Sequence, residues 1–191
     1  MTVVLLDRDG VINENRPDYV KSWEEFRFLP GALEGLAALT AAGVRLVVVT
    51  NQSAVGRGLM SAPDLEVIHR HMGETARALG GRIEAVLCCP HAPWEGCRCR
   101  KPQPALLLAA LARLKAERTR CFMVGDSLDD LRAAQEIDLP FVMVRTGRGE
   151  EALARLDGHR PPAWVADDLR AASRWVLHRL RLATAPEEVA A

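Results

Sequence analysis

The sequence predicts a three-layer α/β fold, Rossmann-like, around a mostly parallel sheet. Three observations carry that prediction. Short apolar runs alternate with longer segments of helical periodicity; the runs are apolar at every residue, as strands covered on both faces are; and polar, acid-rich turns stand where the runs end. The 191 residues, 49% hydrophobic and 26% charged, suit one globular domain over 1–181, with a loose polar tail over 182–191. Twenty-five basic residues balance twenty-five acidic ones, so no global field draws the chain toward nucleic acid or an anionic membrane.

Val3 to Leu6, closed by Asp7, is the first predicted strand. Gly31 to Ala42 follows as a helix with Leu33, Leu36 and Leu39 on one side and Gly43 as its stop. Val44 to Val49 is the second buried strand, with Thr50-Asn51-Gln52-Ser53 as the turn after it. Ser61 begins a helix over Ala62 to Leu79 that Gly80-Gly81 ends, and Ile83 to Leu87 is the third strand. Past an irregular Cys- and Pro-containing loop come a helix at Pro104 to Glu117, a strand at Cys121 to Val124, a helix at Leu128 to Glu136 and a strand at Phe141 to Val144. Helices at Glu150 to Leu156 and Asp168 to Leu180 complete the pattern. The apolar start has no basic flank and is too short for a signal peptide or a membrane span, which predicts a cytoplasmic chain.

Right-handed crossovers between such strands bring their carboxyl ends, and any ligand, to one edge of the sheet. The first strand delivers Asp7-Arg8-Asp9-Gly10 there, the second Thr50-Asn51, and the fourth Gly125-Asp126 with Asp129 and Asp130 just behind. Carboxylates crowded into a site of low dielectric repel one another, so their convergence predicts a hard cation such as Mg²⁺ held through oxygen. Lys101 and the Thr50 hydroxyl are the groups suited to holding a phosphoryl oxygen beside it.

A second constellation is Cys89-Pro90-His91 followed by Cys97-Arg98-Cys99. Three thiolates and one imidazole complete a tetrahedral Zn²⁺ shell with no open position, which is a structural rather than a catalytic arrangement. The Pro- and Gly-rich loop over 88–101 has no ladder of hydrogen bonds to fix it, and metal ligation supplies that constraint. Cys88 and Cys121, within apolar runs, read instead as packing residues. Arg100 and Lys101 follow Cys99 directly, so a metal there aims two cations at the acidic site.

In that order and at those strand ends, Asp7-Arg8-Asp9-Gly10, Thr50-Asn51-Gln52, Lys101 and Gly125-Asp126 with Asp130 resemble the four motifs of the haloacid dehalogenase (HAD) superfamily of phosphohydrolases. The resemblance implies Asp7 as nucleophile and Asp9 as general acid and base. It places Mg²⁺ among the Asp7 carboxylate, the Asp9 backbone carbonyl and Asp126, with Thr50 and Lys101 stabilising the phosphoryl oxygens. The segment Thr50 to Gly58, the zinc loop and Val144-Arg145-Thr146-Gly147 look most like the heptose bisphosphate phosphatase family, whose substrate is a small phosphorylated sugar; the histidinol-phosphatase family is the nearest alternative. About 40 residues separate Asp9 from Thr50, too few for a large cap, so short loops must supply specificity.

Substrate contacts are carried in that family at positions matching Asn15, Arg16, Pro17, Asp18 and Tyr19, then Asn51, Gln52 and Ser53, and the zinc loop. Arg100 is the choice for a second phosphate, because a guanidinium can grip it bidentately. Ser127, standing where many relatives carry Lys, joins the same set. A polynucleotide 3′-phosphatase, the remaining enzymatic alternative, predicts a basic, aromatic-lined groove, against which stand the neutral charge and 5% aromatic content. A catalytically silent zinc-stabilised binding module predicts loss of the acidic set, which is intact. A monomer is expected, since no heptad repeat or long apolar edge is legible.

Overall fold

Six parallel strands form one sheet in the order β3-β2-β1-β4-β5-β6 in the computed structural model, which describes residues 1–184. They are β1 (Val3–Leu6), β2 (Arg45–Asn51), β3 (Ile83–Cys89), β4 (Cys121–Gly125), β5 (Phe141–Val144) and β6 (Trp164–Ala166). Six helices cover them: α1 (Ala32–Ala41), α2 (Ala62–Ala78), α3 (Ala105–Leu114), α4 (Leu128–Gln135), α5 (Gly149–Ala154) and α6 (Leu169–Thr184).

The pleat explains why the strand sequences are apolar throughout. On β1, Val4 and Leu6 point into one core with α1, α2 and α6, while Val3 and Leu5 point into the other with α3 and α4. Leu46 and Val48 of β2 and Val124 of β4 face the first core; Val47, Val49 and Met123 face the second. Each side chain is removed from water, worth about 1.5–3 kcal/mol for a fully buried Val or Leu.

Caps and turns set the helix limits. Ser61 accepts from the backbone N–H of Asp64, whose carboxylate reaches back to the Ser61 N–H, and this capping box starts α2 with Pro63 in its first turn. Asp168 accepts from the Ala171 N–H to begin α6. Several predicted boundaries move. Strand β2 runs on to Asn51, so Thr50 and Asn51 end the strand rather than begin the turn. The helix after the Cys-rich loop ends at Leu114, because Lys115 turns to φ 51° and Ala116 donates back to Leu111. The helix expected at Glu150 to Leu156 spans Gly149–Ala154. Of the tail expected over 182–191, the residues up to Thr184 belong to α6, and 185–191 lie outside the described residues. Strand β6 was not predicted; it has three residues and an exposed Trp164 at its start, too short to show a pattern.

Candidate active site

Parallel register gathers the polar strand ends. Leu6 of β1 pairs with Val48 of β2 and Val124 of β4, so Asp7, Thr50 and Gly125-Asp126 emerge at one edge on either side of the sheet's centre. The chain order reverses there, and the crevice so formed is the usual ligand position of a doubly wound sheet. Lys101 enters from the loop before α3 and is 1% exposed. A buried ammonium needs a partner for each of its three donors. The Val49 carbonyl accepts from Nζ at 2.8 Å, and the carboxylates of Asp7 and Asp130 pair with it as ions, their Oδ1 atoms at 2.9 Å and 2.6 Å. The Asn51 side chain holds the Lys101 backbone from both sides, accepting its N–H at 3.1 Å and donating to its carbonyl at 3.0 Å.

Charge in this pocket does not balance. Asp7, Asp126 and Asp130 are all buried with ligand oxygens within 4.8 Å of one another, and Lys101 is the ammonium between them. Burial, then the Asp130 carboxylate, pushes Asp7 up to about 7 against the pull of Lys101. Burial and the Asp7 charge raise Asp126 well above the carboxylate range. Burial would strip Lys101 of its proton, but Asp130 and Asp7 outweigh it and hold the ammonium charged. Three oxygen donors with more negative charge than their one cation can offset fit a hard divalent ion.

Asp9 sits in a different environment. Its Oδ1 accepts from Arg8 Nη2 at 2.9 Å and Asn13 Nδ2 at 2.9 Å, and its Oδ2 from Gln52 Nε2 at 2.7 Å. Burial alone would raise it, but the Arg8 charge and these donors hold it below the usual carboxylate value. Gln52 also donates to Thr50 Oγ1 at 3.0 Å, tying the second strand end to the first.

Two glycines close the back of the site. Gly10 at φ +84° and Gly147 at φ +61° lie so near that a Cβ on Gly147 would stand 2.5 Å from the Gly10 Cα, and on either residue it would run into Asp126. Thr146 Oγ1 donates to the Gly10 carbonyl at 2.7 Å, and the Arg148 N–H donates to Asp126 Oδ2 at 2.8 Å. Only residues without a side chain let both turns press on that carboxylate.

The cysteine cluster assembles as its spacing predicts, with one correction: Cys89 is the last residue of β3 rather than part of a loop. Cys89 Sγ lies 3.5 Å from His91 Nδ1 and 3.5 Å from Cys97 Sγ; Cys99 Sγ lies 3.2 Å from His91 Nδ1 and 3.7 Å from Cys97 Sγ. Tetrahedral zinc, with Zn–S about 2.3 Å and Zn–N about 2.0 Å, requires donor-to-donor edges of about 3.5 to 3.8 Å. Three of the four distances fall in that range, and the shorter His91–Cys99 edge needs only a small rotation of the ring to complete the shell. All five cysteines are free thiols. Burial pushes Cys89 up to about 12, whereas at Cys97 hydrogen bonds from Cys89 and the Arg100 backbone outweigh burial and bring it down to about 7.

This loop is fastened to the second strand end. The Gln52 N–H donates to the Cys89 carbonyl at 2.7 Å and the Gly56 N–H to the Pro90 carbonyl at 2.8 Å. The Arg57 guanidinium lies 4.6 Å from the centroid of Trp94 and 5.8 Å from that of Tyr19, joining the zinc loop to the loop after β1.

A cavity of about 310 Å³ opens over Asp7 and Asp9, and nearly every predicted contact residue lines it: Asn15, Arg16, Pro17, Tyr19, Asn51, Gln52, Ser53, Arg100 and Ser127, with Thr50, Lys101 and Asp126. Asp18 does not. It is exposed and paired with Arg16 at 3.1 Å and Lys21 at 2.9 Å, and so braces Arg16 from outside. Ser127 does double duty as the N-cap of α4, bonded to Asp130. Asp129, expected just behind the fourth strand end, is in the wall, and sequence reasoning missed Arg57, Pro93 and Arg148 there. It also missed Arg8 and Asn13 as partners of Asp9, and Asp130 as a partner of Lys101. The spacing Ser127-x-x-Asp130 is a readable capping box and would have drawn attention to the last.

Comparison with known proteins agrees with this geometry. Residues 98–172 match a family model described as HAD-hydrolase-like. The chain is 37% identical over 179 residues to a D-glycero-beta-D-manno-heptose-1,7-bisphosphate 7-phosphatase of Neisseria meningitidis, covering 93% of this chain and 95% of the relative. It is 46% identical over 136 residues to a D-glycero-alpha-D-manno-heptose-1,7-bisphosphate 7-phosphatase of Mycobacterium tuberculosis, covering 70% and 72%. The crystal structure of the D,D-heptose 1,7-bisphosphate phosphatase of B. bronchiseptica, complexed with magnesium and phosphate, superposes with a TM-score of 0.89 at 38% identity over 94% of this chain and 99% of that one.

Proposed function

From the premise that this chain belongs to the heptose 1,7-bisphosphate 7-phosphatase family of HAD-like hydrolases, we propose that it removes the C7 phosphate of D-glycero-D-manno-heptose 1,7-bisphosphate, a phosphoric monoester hydrolysis. The observation that supports this most directly is the buried set Asp7, Asp126, Asp130 and Lys101 at the sheet's central carboxyl edge, with Asp9 beside it.

In this reading Asp7 attacks phosphorus in line; its carboxylate oxygen forms the new P–O bond as the bond to the C7 oxygen breaks, leaving an aspartyl-phosphate. Asp9 donates a proton to the departing alkoxide, then takes one from the water that opens the aspartyl-phosphate. Its three donors keep it ionised at rest, the form the second step needs. The negative phosphate arriving beside it raises its affinity for the proton that the first step needs. Thr50 and Lys101 hold the equatorial phosphoryl oxygens, and electrostatic positioning of this kind dominates phosphoryl transfer. Asp7, Asp126 and the Asp9 carbonyl would hold Mg²⁺, which supplies charge neutralisation to the phosphoryl group. Asp130 serves Lys101. Cys89, His91, Cys97 and Cys99 would hold a structural Zn²⁺ that frames Arg100, the group for the phosphate on C1. The chain keeps, in this reading, the monomeric state and cytoplasmic location expected from the sequence.

The test is Mg²⁺-dependent phosphate release from both anomers of the heptose bisphosphate, since the relatives divide between alpha and beta, with histidinol phosphate alongside. A kcat/KM at least about a hundredfold higher for one heptose anomer, roughly 2.7 kcal/mol of discrimination, is the expected result; a preference for histidinol phosphate overturns the substrate reading.

The acidic set also makes metal binding depend on pH. Asp7 is raised from 3.8 to about 7, so in the metal-free protein it keeps a proton that the unfolded chain has already lost. Its contribution to stability is therefore full below about pH 4 and is lost as pH rises to about 7. Mg²⁺ must displace that proton, so the rise in Tm on adding it is expected to be several-fold larger at pH 7.5 than at pH 5. Equal rises at the two pH values would remove Asp7 from the ligands.

A further inference from the structure

Arg8 lies between the two acids of the first motif and is 1% exposed, the bulkiest charged side chain the core takes in. Its Nη2 donates to Asp9 Oδ1 at 2.9 Å, and its Nη1 lies 3.3 Å from Nε2 of His69. His69 belongs to α2 and to none of the motifs at the strand ends. Along that helix it stands four residues after Leu65 and three before Met72, both buried, and so falls on the inward stripe. A guanidinium has no acceptor, so the imidazole must accept at Nε2 and carry its proton on Nδ1. Burial, followed by the Arg8 charge, brings His69 down to about 3, which keeps it in that neutral accepting form across the working range.

We propose that His69 is a positioning residue for Asp9: by accepting from Arg8 it fixes the guanidinium, and the guanidinium fixes the carboxylate that protonates the leaving oxygen. Arg8 Nε is already buried without a partner, so losing the His69 acceptor would leave a second donor of the same guanidinium with nothing to bond, an arrangement proteins avoid. The guanidinium then tilts toward another acceptor and draws Asp9 Oδ1 with it. Proton transfer in the transition state tolerates only about half an ångström of such movement. Asn13 and Gln52 restrain Asp9 from the loop after β1 and from the end of β2, whereas His69 acts from a helix on one face of the sheet. The inference rests on Asp9 being the general acid.

Leaving-group chemistry separates this role from a general loosening of the fold. A primary alkyl phosphate leaves as a strongly basic alkoxide and needs the proton, whereas p-nitrophenyl phosphate leaves as a weakly basic phenolate and hardly does. kcat/KM covers every step through release of the alcohol, so it reports that proton even where hydrolysis of the aspartyl-phosphate limits kcat. In the Mg²⁺-loaded enzyme, His69→Leu is expected to lose at least about tenfold more kcat/KM on a primary alkyl sugar phosphate than on p-nitrophenyl phosphate. His69→Gln, whose carbonyl restores an acceptor near the Nε2 position, should recover most of the difference. If the Leu variant does not fold, His69→Ala is read in the same way. Equal losses on the two substrates, or failure of Gln to rescue, overturn the role of His69. Asp9→Asn is the control: if it too shows no preference for the activated substrate, the general-acid reading fails instead.

Discussion

Replacing Asp7 with asparagine is expected to lower phosphate release by roughly 10³-fold or more while leaving the fold and the bound zinc in place. Asparagine has almost the same shape but no anionic oxygen to form the acyl phosphate. It also relieves charge: Asp7 lies with Asp126 and Asp130 around a single ammonium, and burial and Asp130 already push it up to about 7. The metal-free variant should therefore be at least as stable as the parent at pH 7.5, by thermal unfolding, even as its activity disappears. Loss of activity with Tm held or raised separates a chemical role from a structural one. Residual activity within tenfold of the parent would mean that another group attacks phosphorus. A parent protein that releases no phosphate from any of these substrates would instead revive the silent binding module, which does not need an intact nucleophile.

Stripping the proposed zinc is the second large effect expected. Gln52 and Gly56 donate to carbonyls of Cys89 and Pro90, and Asn51 grips Lys101 two residues past Cys99, so the metal's loop and the catalytic loop share a frame. Removing the ion leaves three thiols and an imidazole in a segment with few hydrogen bonds of its own. A thiol-competing chelator, with Mg²⁺ restored afterwards, is expected to lower Tm by about 10 °C, equivalent to a few kcal/mol for a chain of this length. kcat/KM should fall by at least tenfold through displacement of Lys101 and Arg100, and zinc should restore both. Unchanged Tm and unchanged selectivity would show that the cluster does not frame the site.

How much of this was legible beforehand follows from physical range. Strands buried on both faces write themselves as apolar runs, and their ends mark the site, so Asp7, Thr50 and Asp126 could be placed without coordinates. Cysteine and histidine at short spacing carry their geometry with them. What escaped was set by distance in the chain. Arg8 received no role of its own, because nothing local distinguishes a buried guanidinium from a solvated one; its partner His69 is 61 residues away. That histidine did lie on a legible apolar stripe, between Leu65 and Met72. Asp130 read as one more acid behind the site until the lysine it holds came into view. Arg57 lies against Trp94 and Tyr19 from two other loops, a meeting that only tertiary structure arranges.

The paired glycines at 10 and 147 bear on how such a protein can be altered. A methyl group at either would press on Asp126, and both occupy backbone conformations that L-residues rarely adopt. In a mutational library these two codons should be nearly invariant among active clones. Leu59, which is exposed, is open to randomisation. New substrate preferences are therefore reached by changing the rim, while the wall behind the acids defines the part of sequence space that an experimenter can leave out.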